Sequence, residues 1–179
     1  MLTAEQIIEH YCLEPLDQEG GYFRQVWKSD RVVSNTLLGA GYPKEGGHPM
    51  GTLIHFLLTA DSFSAMHRLP TSEHWFYQMG DPGEMLLLHA DGRSELIELG
   101  PDFSQGQRIQ YSTPAQSWQG TRLRAGGIHG YFFGSCVMVP GFEWTDFELG
   151  ARKDLVEAFP KQQTAIEMRT RNERFDGAL

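Results

Sequence analysis

The sequence predicts an all-β barrel or sandwich, on three observations. Between Thr52 and Val139, short alternating or apolar runs follow one another at spacings of roughly 8–12 residues with no helical period between them. Strong turn signals separate those runs, among them Asp81-Pro82-Gly83, Asp91-Gly92 and Gly100-Pro101-Asp102. The composition, 40% hydrophobic with four Trp and eleven Phe in 179 residues, is that of a packed globule needing neither disulfide nor metal to fold.

In chain order, Thr3-Ala4-Glu5-Gln6 reads as a capping box, with Ile7, Ile8 and Tyr11 on one stripe behind it, so a short helix is expected from Ala4 to Cys12. A glycine turn, Gly20-Gly21, opens an alternating strand that runs to Trp27. From Asp30 to Met50 the chain is rich in Gly and Pro with no usable period, which predicts a long loop with a short strand near Arg31 to Thr36. No phosphate loop is present there, because Gly46 is followed by Gly47-His48 instead of Lys-Ser/Thr. The predicted barrel strands are Thr52–Thr59, Phe63–Leu69, Glu73–Met79, Glu84–His89, Ser94–Leu99, Arg108–Thr113, Trp118–Leu123 and Tyr131–Val139. Asp154–Phe159 reads as helical and is stopped by Pro160, and the charged tail beyond it reads as a loosely held helix. The expected organisation is a helical segment over 1–17, a barrel domain over 18–160 and a tail over 161–179.

Charge and cysteine content exclude several classes. Fifteen basic against 23 acidic residues give a formal net charge of −8, which opposes non-specific binding to nucleic acid or anionic lipid. Cys12 and Cys136 form no spaced cluster, so neither a disulfide framework nor a zinc ribbon is indicated. Met1 leads into a polar segment without a signal pattern, and no apolar stretch approaches ~20 residues; a cytoplasmic protein is expected.

The densest group of reactive side chains lies between His55 and Tyr77. Successive strand residues face opposite ways, so His67 and Leu69 share a face, and so do Glu73, Trp75 and Tyr77. Turned inward, these place a histidine, a carboxylate and two aromatics inside the barrel. The spacing of His67, Glu73 and Gly80 resembles the first motif of the cupins, double-stranded β-helix (jelly-roll) barrels, which reads G-x5-H-x-H-x3,4-E-x6-G. Leu69 stands in place of the second His and Asp61 in place of the first Gly. Of the second motif, G-x5-P-x-G-x2-H-x3-N, Pro114 remains, while Gln116, Gln119 and Leu123 take the Gly, His and Asn places. A wider set of segments is similar to one uncharacterised cupin subfamily of bacteria and fungi. They are Glu19-Gly20-Gly21-Tyr22-Phe23-Arg24, Phe56-Leu57-Leu58-Thr59, His67-Arg68, Glu73-His74-Trp75, Gly80-Asp81-Pro82, Trp118-Gln119, Pro140-Gly141-Phe142 and Asp146-Phe147-Glu148.

The resemblance implies a barrel with short terminal helices and an internal pocket for a small polar, carbohydrate-like ligand. Cupin metal sites typically use three His and one Glu, suited to Fe, Mn, Ni or Zn. Here only His67, Glu73 and the amide of Gln119 stand at ligand positions, so no cofactor is expected; a divalent transition metal on those three is the alternative. Sugar-nucleotide epimerases with this barrel use a His base and a Tyr acid, which by analogy gives His67, Glu73 and Tyr77 catalytic roles. Arg24, His55, Trp75 and Gln119 are the candidate ligand-binding residues, with Arg24 forming either an anion contact or a rim salt bridge. Phe142, Trp144 and Phe147 either cap the barrel or pack between subunits, and a homodimer is expected. The leading expectation is a metal-independent binding cupin, possible as a sugar or sugar-nucleotide epimerase or isomerase. A metal-dependent oxygenase or isomerase, or a non-catalytic storage protein, is the alternative.

Overall fold

The computed structural model describes residues 2–171. Helix α1 (Ala4–Tyr11) has the expected capping box: Gln6 N–H donates to Thr3 Oγ1 and the Thr3 N–H to Gln6 Oε1. The strands are β1 (Glu14–Pro15), β2 (Tyr22–Lys28), β3 (Val32–Ser34), β4 (Gly47–Pro49), β5 (Thr52–Thr59), β6 (Phe63–Arg68) and β7 (Glu73–Gly80). They continue with β8 (Gly83–Leu88), β9 (Ser94–Leu99), β10 (Gln110–Thr113), β11 (Trp118–Leu123), β12 (Tyr131–Met138) and β13 (Glu148–Leu149). Helix α2 (Asn35–Leu38) follows β3, and α3 (Arg152–Ala158) and α4 (Gln163–Glu167) follow the last strand.

Two antiparallel sheets face each other as a jelly roll. One is ordered β1-β2-β5-β12-β7-β10, the other β13-β6-β11-β8-β9. The inner faces meet in a core that includes Phe56, Leu58, Trp75, Met85, Leu87 and Phe132. Alternation explains the rest of the packing. Leu57, next to Phe56 on β5, faces outward onto α1 with Ile7, Tyr131 and Phe133. Leu86 and Leu88, next to Met85 and Leu87 on β8, face outward onto α3 and α4 through Leu155 and Ile166. The unbroken run Met85-Leu86-Leu87-Leu88 is thus a strand buried on both faces, and its apolar density is what that position requires.

Two segments differ from expectation. The stretch from Asp30 to Met50 contains the expected short strand, β3, but is no open loop: β3 pairs with β4, and α2 lies between them. Its order comes from polar contacts, which leave no hydrophobic period. His48 is buried, with its ring nitrogens 2.5 Å from Asn35 Oδ1 and 2.9 Å from Asp146 Oδ2. The segment after Pro160 is also built in. Ile166 is in the core, and the fully buried Arg169 donates to Glu84 Oε1 at 2.6 Å and to the Ala165 carbonyl at 2.9 Å. The end of the expected tail, 172–179, lies outside the described residues. Among the described residues no helix is long and apolar enough to cross a membrane.

Candidate functional site

The site lies between the sheets at one end of the barrel. In the smaller sheet β6 and β11 pair so that His67 and Gln119 are direct cross-strand neighbours. Glu73 opens β7 in the facing sheet. Register slips by one residue between Gln119 and Thr121, and Gly120 occupies the slip because a Cβ there would meet Met66 Sδ at 2.6 Å.

All three side chains are buried and joined. His67 Nδ1 lies 2.8 Å from the Ala65 carbonyl, an acceptor, so that nitrogen carries the proton. The Gln119 amide nitrogen then donates one hydrogen to His67 Nε2 at 3.0 Å and the other to Glu73 Oε2 at 2.7 Å. Trp75 Nε1–H donates to the same Glu73 oxygen at 2.9 Å. Burial lowers the pKa of His67, against the opposing pull of Glu73 and the Ala65 carbonyl. Burial raises Glu73 to about 7; the nearby Glu19 charge adds to the rise, while His67, Gln119 and Trp75 oppose it.

Glu19 is the site residue that sequence reasoning missed. Its backbone carbonyl accepts from Ala65 N–H at 2.9 Å, and its carboxyl accepts from Ser64 Oγ at 2.5 Å. Gly20 lets the chain approach β6 this closely: its φ is +107° and a Cβ would stand 2.2 Å from the Phe63 carbonyl. Burial raises the Glu19 carboxyl to about 7 as well, with Ser64 and Arg171 opposing the rise. The only sequence signal was its place in the Glu19-Gly20-Gly21 turn.

Glu19, His67 and Glu73 line one cavity of about 110 Å³. Its walls are largely apolar: Leu69, the residue in the second-histidine position, is one of them, and so are Phe23, Phe142, Trp144 and Phe147. Phe147 stacks on the His67 ring, centroids 5.1 Å apart at 22°. It is held there by β13, which pairs Glu148 with Arg68 and Leu149 with His67. The aromatic segment after Pro140 therefore caps the barrel. The buried Cys136 thiol also lines the cavity, and burial beside Glu73 and Glu19 pushes its pKa well up.

The other predicted residues fall elsewhere. Trp75 is in the core and reaches the site only through its bond to Glu73. Tyr77 also faces the core, but strand rise places it roughly 13 Å along β7 from Glu73. Its hydroxyl donates to the Gly80 carbonyl at 2.7 Å, and it does not line the cavity. On β2 the inward residues are Phe23 and Gln25, so Arg24 faces out and makes an exposed ion pair with Glu14 at 3.4 Å. The alternation of Tyr22 to Trp27 fits either parity, and only pairing with β5 selects one. His55 pairs with Arg24 on that outer face, against Tyr11, Phe133 and the Ser135 hydroxyl.

A metal does not fit this constellation. The Gln119 amide nitrogen stands between His67 Nε2 and Glu73 Oε2, where a bridging cation would have to sit, and it donates to both. Leu69 supplies no ligand, and among the described residues no group of three or more His, Cys, Asp or Glu is arranged to hold a metal ion.

A jelly roll with a His/Glu/Gln cluster at the motif positions inside the barrel defines a cupin. The chain belongs to the family described as Cupin superfamily (DUF985), which matches residues 5–150. An uncharacterized protein of Saccharomyces cerevisiae, YML079W, is 26% identical over 173 residues, covering 94% of this chain and 82% of the relative. A hypothetical protein from Leishmania major has a similar structure, with TM-score 0.84 and 28% identity over 94% of this chain and 99% of that one. Protein SO0799 from Shewanella oneidensis has TM-score 0.81 and 26% identity, over 97% of this chain and 100% of that one.

Proposed function

We propose that this cupin binds a small organic molecule in the barrel cavity and transfers protons on it without a metal, with Glu73 as the acid–base group. One observation carries the reading: a buried carboxyl, raised to about 7, lines the cavity while the Gln119 and Trp75 donors converge on its Oε2 and the Cys136 thiol is a further hydrogen-bond neighbour. The second oxygen is the one offered to a ligand. A general acid or base works best with a pKa near the working pH and contributes roughly 10²–10⁴-fold. Both nitrogens of His67 are already paired, so His67 and Gln119 position the Glu73 carboxyl, and the role of base passes from the histidine to the glutamate.

The reaction class is isomerisation or epimerisation at a carbon next to a carbonyl: the Glu73 carboxylate takes the C–H proton and returns a proton to the same or the neighbouring carbon. Among the described residues lining the cavity there is no Lys or Arg, and its volume is about 110 Å³, which favours a small molecule without a diphosphate over a sugar nucleotide.

The test is proton NMR in D2O on a panel of small hydroxy- and amino-carbonyl compounds. Solvent deuterium should enter one of them at a C–H, with a chelator present or absent, and Glu73→Gln should slow this by about 10² or more while the protein stays folded. Exchange that survives Glu73→Gln, exchange that stops with the chelator, or no exchange on any compound would each overturn the proposal.

A further inference from the structure

The cavity has two features beyond its acid–base group: a second carboxyl and an aromatic wall. Glu19 and Glu73 both line it, reaching it from different parts of the chain, the first from the turn before β2 and the second from the start of β7. Four aromatic side chains line the same space: Phe23 from β2, and Phe142, Trp144 and Phe147 from the cap. Aromatic faces attract cations through the negative potential of the ring, by about 0.5–1 kcal/mol where exposed and about 2 where desolvated. A carboxylate beside such a wall completes the recognition of a positive charge.

The hydrogen-bond inventory points the same way. Glu19 accepts from Ser64, and Glu73 accepts from Gln119 and Trp75 and is hydrogen-bonded to the Cys136 thiol. Gln119 Oε1, buried in the same cluster, has no hydrogen-bond partner among the described residues. The cluster is thus richer in acceptors than in donors, and a ligand that brings donors and positive charge matches it. The Arg171 guanidinium acts on Glu19 but is not among the residues lining the cavity; it donates to the Gln18 and Asp17 carbonyls.

We infer that the ligand of this pocket is a small organic ammonium ion, with Glu19 and the rings of Phe23, Phe142, Trp144 and Phe147 receiving its charge and Glu73 acting on the adjoining carbon skeleton. This rests on the pocket assigned above and divides the labour between its two carboxyls: Glu19 recognises, Glu73 moves the proton. Burial holds the two carboxyls near 7, with the Glu19 charge adding to the rise at Glu73, so the pair acquires its negative charge around neutral pH, and a cation is the ligand that favours that ionised form.

Calorimetric titration with a matched pair of probes tests it: choline, and its uncharged carbon isostere 3,3-dimethylbutan-1-ol. At about pH 8, with the carboxyls ionised, choline should bind at least about tenfold more tightly than the isostere. Glu19→Gln and Trp144→Ala should each weaken choline by about fivefold or more while leaving the isostere nearly unchanged, and choline should weaken as the pH falls to about 6. Equal binding of both probes would mean recognition by shape alone and overturn the cationic inference while leaving the pocket in place. Choline binding that ignores Glu19→Gln, Glu73→Gln and Trp144→Ala would place it elsewhere and overturn it too. If neither probe binds but an uncharged carbonyl compound exchanges deuterium through Glu73, the inference fails and the proposed function stands. If neither probe binds and nothing exchanges, both fall.

Discussion

Gln119 donates to Glu73 across the space between the two sheets, at 2.7 Å, with its other amide hydrogen directed at His67 Nε2, 3.0 Å away. A neutral amide thereby does what a cation does in a metal cupin: it satisfies the imidazole lone pair and the carboxylate together. Removing it in Gln119→Leu leaves two buried acceptors short of a donor and should cost about 1–3 kcal/mol in urea unfolding. Gln119→His should do the opposite of emptying the position, adding a second imidazole beside His67 and Glu73. That variant is expected to bind Ni²⁺ or Zn²⁺ at least about tenfold more tightly than wild type by titration. No gain in affinity would show that residue 119 is not placed where a metal would sit.

The Glu73 carboxyl sets a pH dependence whose sign is fixed. Its folded-state value is raised above the ordinary 4.5 to about 7, so between those values the native state holds a proton that the unfolded chain has released. The stability contribution is complete below the unfolded value and is lost as pH rises through the folded one, at up to roughly 1.4 kcal/mol per pH unit. Glu73→Gln cannot ionise and lacks this loss. Urea unfolding of both proteins between about pH 5 and pH 8 should show the variant gaining on wild type as pH rises. Parallel stability curves would mean that Glu73 is not perturbed.

His48 joins the segment between β3 and β4 to the aromatic cap. Its partner Asp146 lies one residue before Phe147, the ring stacked on His67, and both members of the pair are almost fully buried. His48→Ala leaves the Asp146 carboxylate buried without its partner, and should lower stability by about 3 kcal/mol. It should also speed proteolytic cleavage between Leu38 and Gly47, measured by digestion at low protease concentration. An unchanged cleavage rate would mean the segment is held by other contacts.

Arg24 provides the contrasting case. It is exposed on the outer face of β2 and paired with an exposed Glu14, so Arg24→Ala should change stability by less than about 1 kcal/mol. Occupancy of the cavity, read by calorimetry with the probes above, should be unaffected. A loss of binding would require the arginine to reach the cavity after all.

Much of the fold was legible because strand period and turn chemistry are local. The run from Thr52 to Thr59 is a short apolar stretch bounded by threonines and the Asp91-Gly92 turn closes the hairpin of β8 and β9, so those elements stand where expected. The motif spacing of His67 and Glu73, with Gln119 at the second-motif histidine place, likewise selected the three residues that meet inside the barrel. In the segment from Asp30 to Met50 the short strand expected near Arg31 to Thr36 is present as β3, while its pairing with β4 was not legible because the segment's order depends on His48, Asn35 and Asp146, a polar network drawn from distant positions.

The sequence by itself determined which residues alternate, where the chain turns, and that a histidine and a carboxylate share the barrel's inner faces. It did not determine parity on β2, where Tyr22 to Trp27 reads equally well with Arg24 inward or outward, nor depth, which separates Tyr77 from Glu73. Those were decided by the register of β2 on β5 and of β7 on β12. Glu19 entered the site the same way, through a backbone bond to Ala65 that joins residues far apart in the chain. Periodicity is a property of neighbours along the chain, whereas parity, depth and convergence depend on hydrogen bonds and packing between strands that meet only when the sheets close.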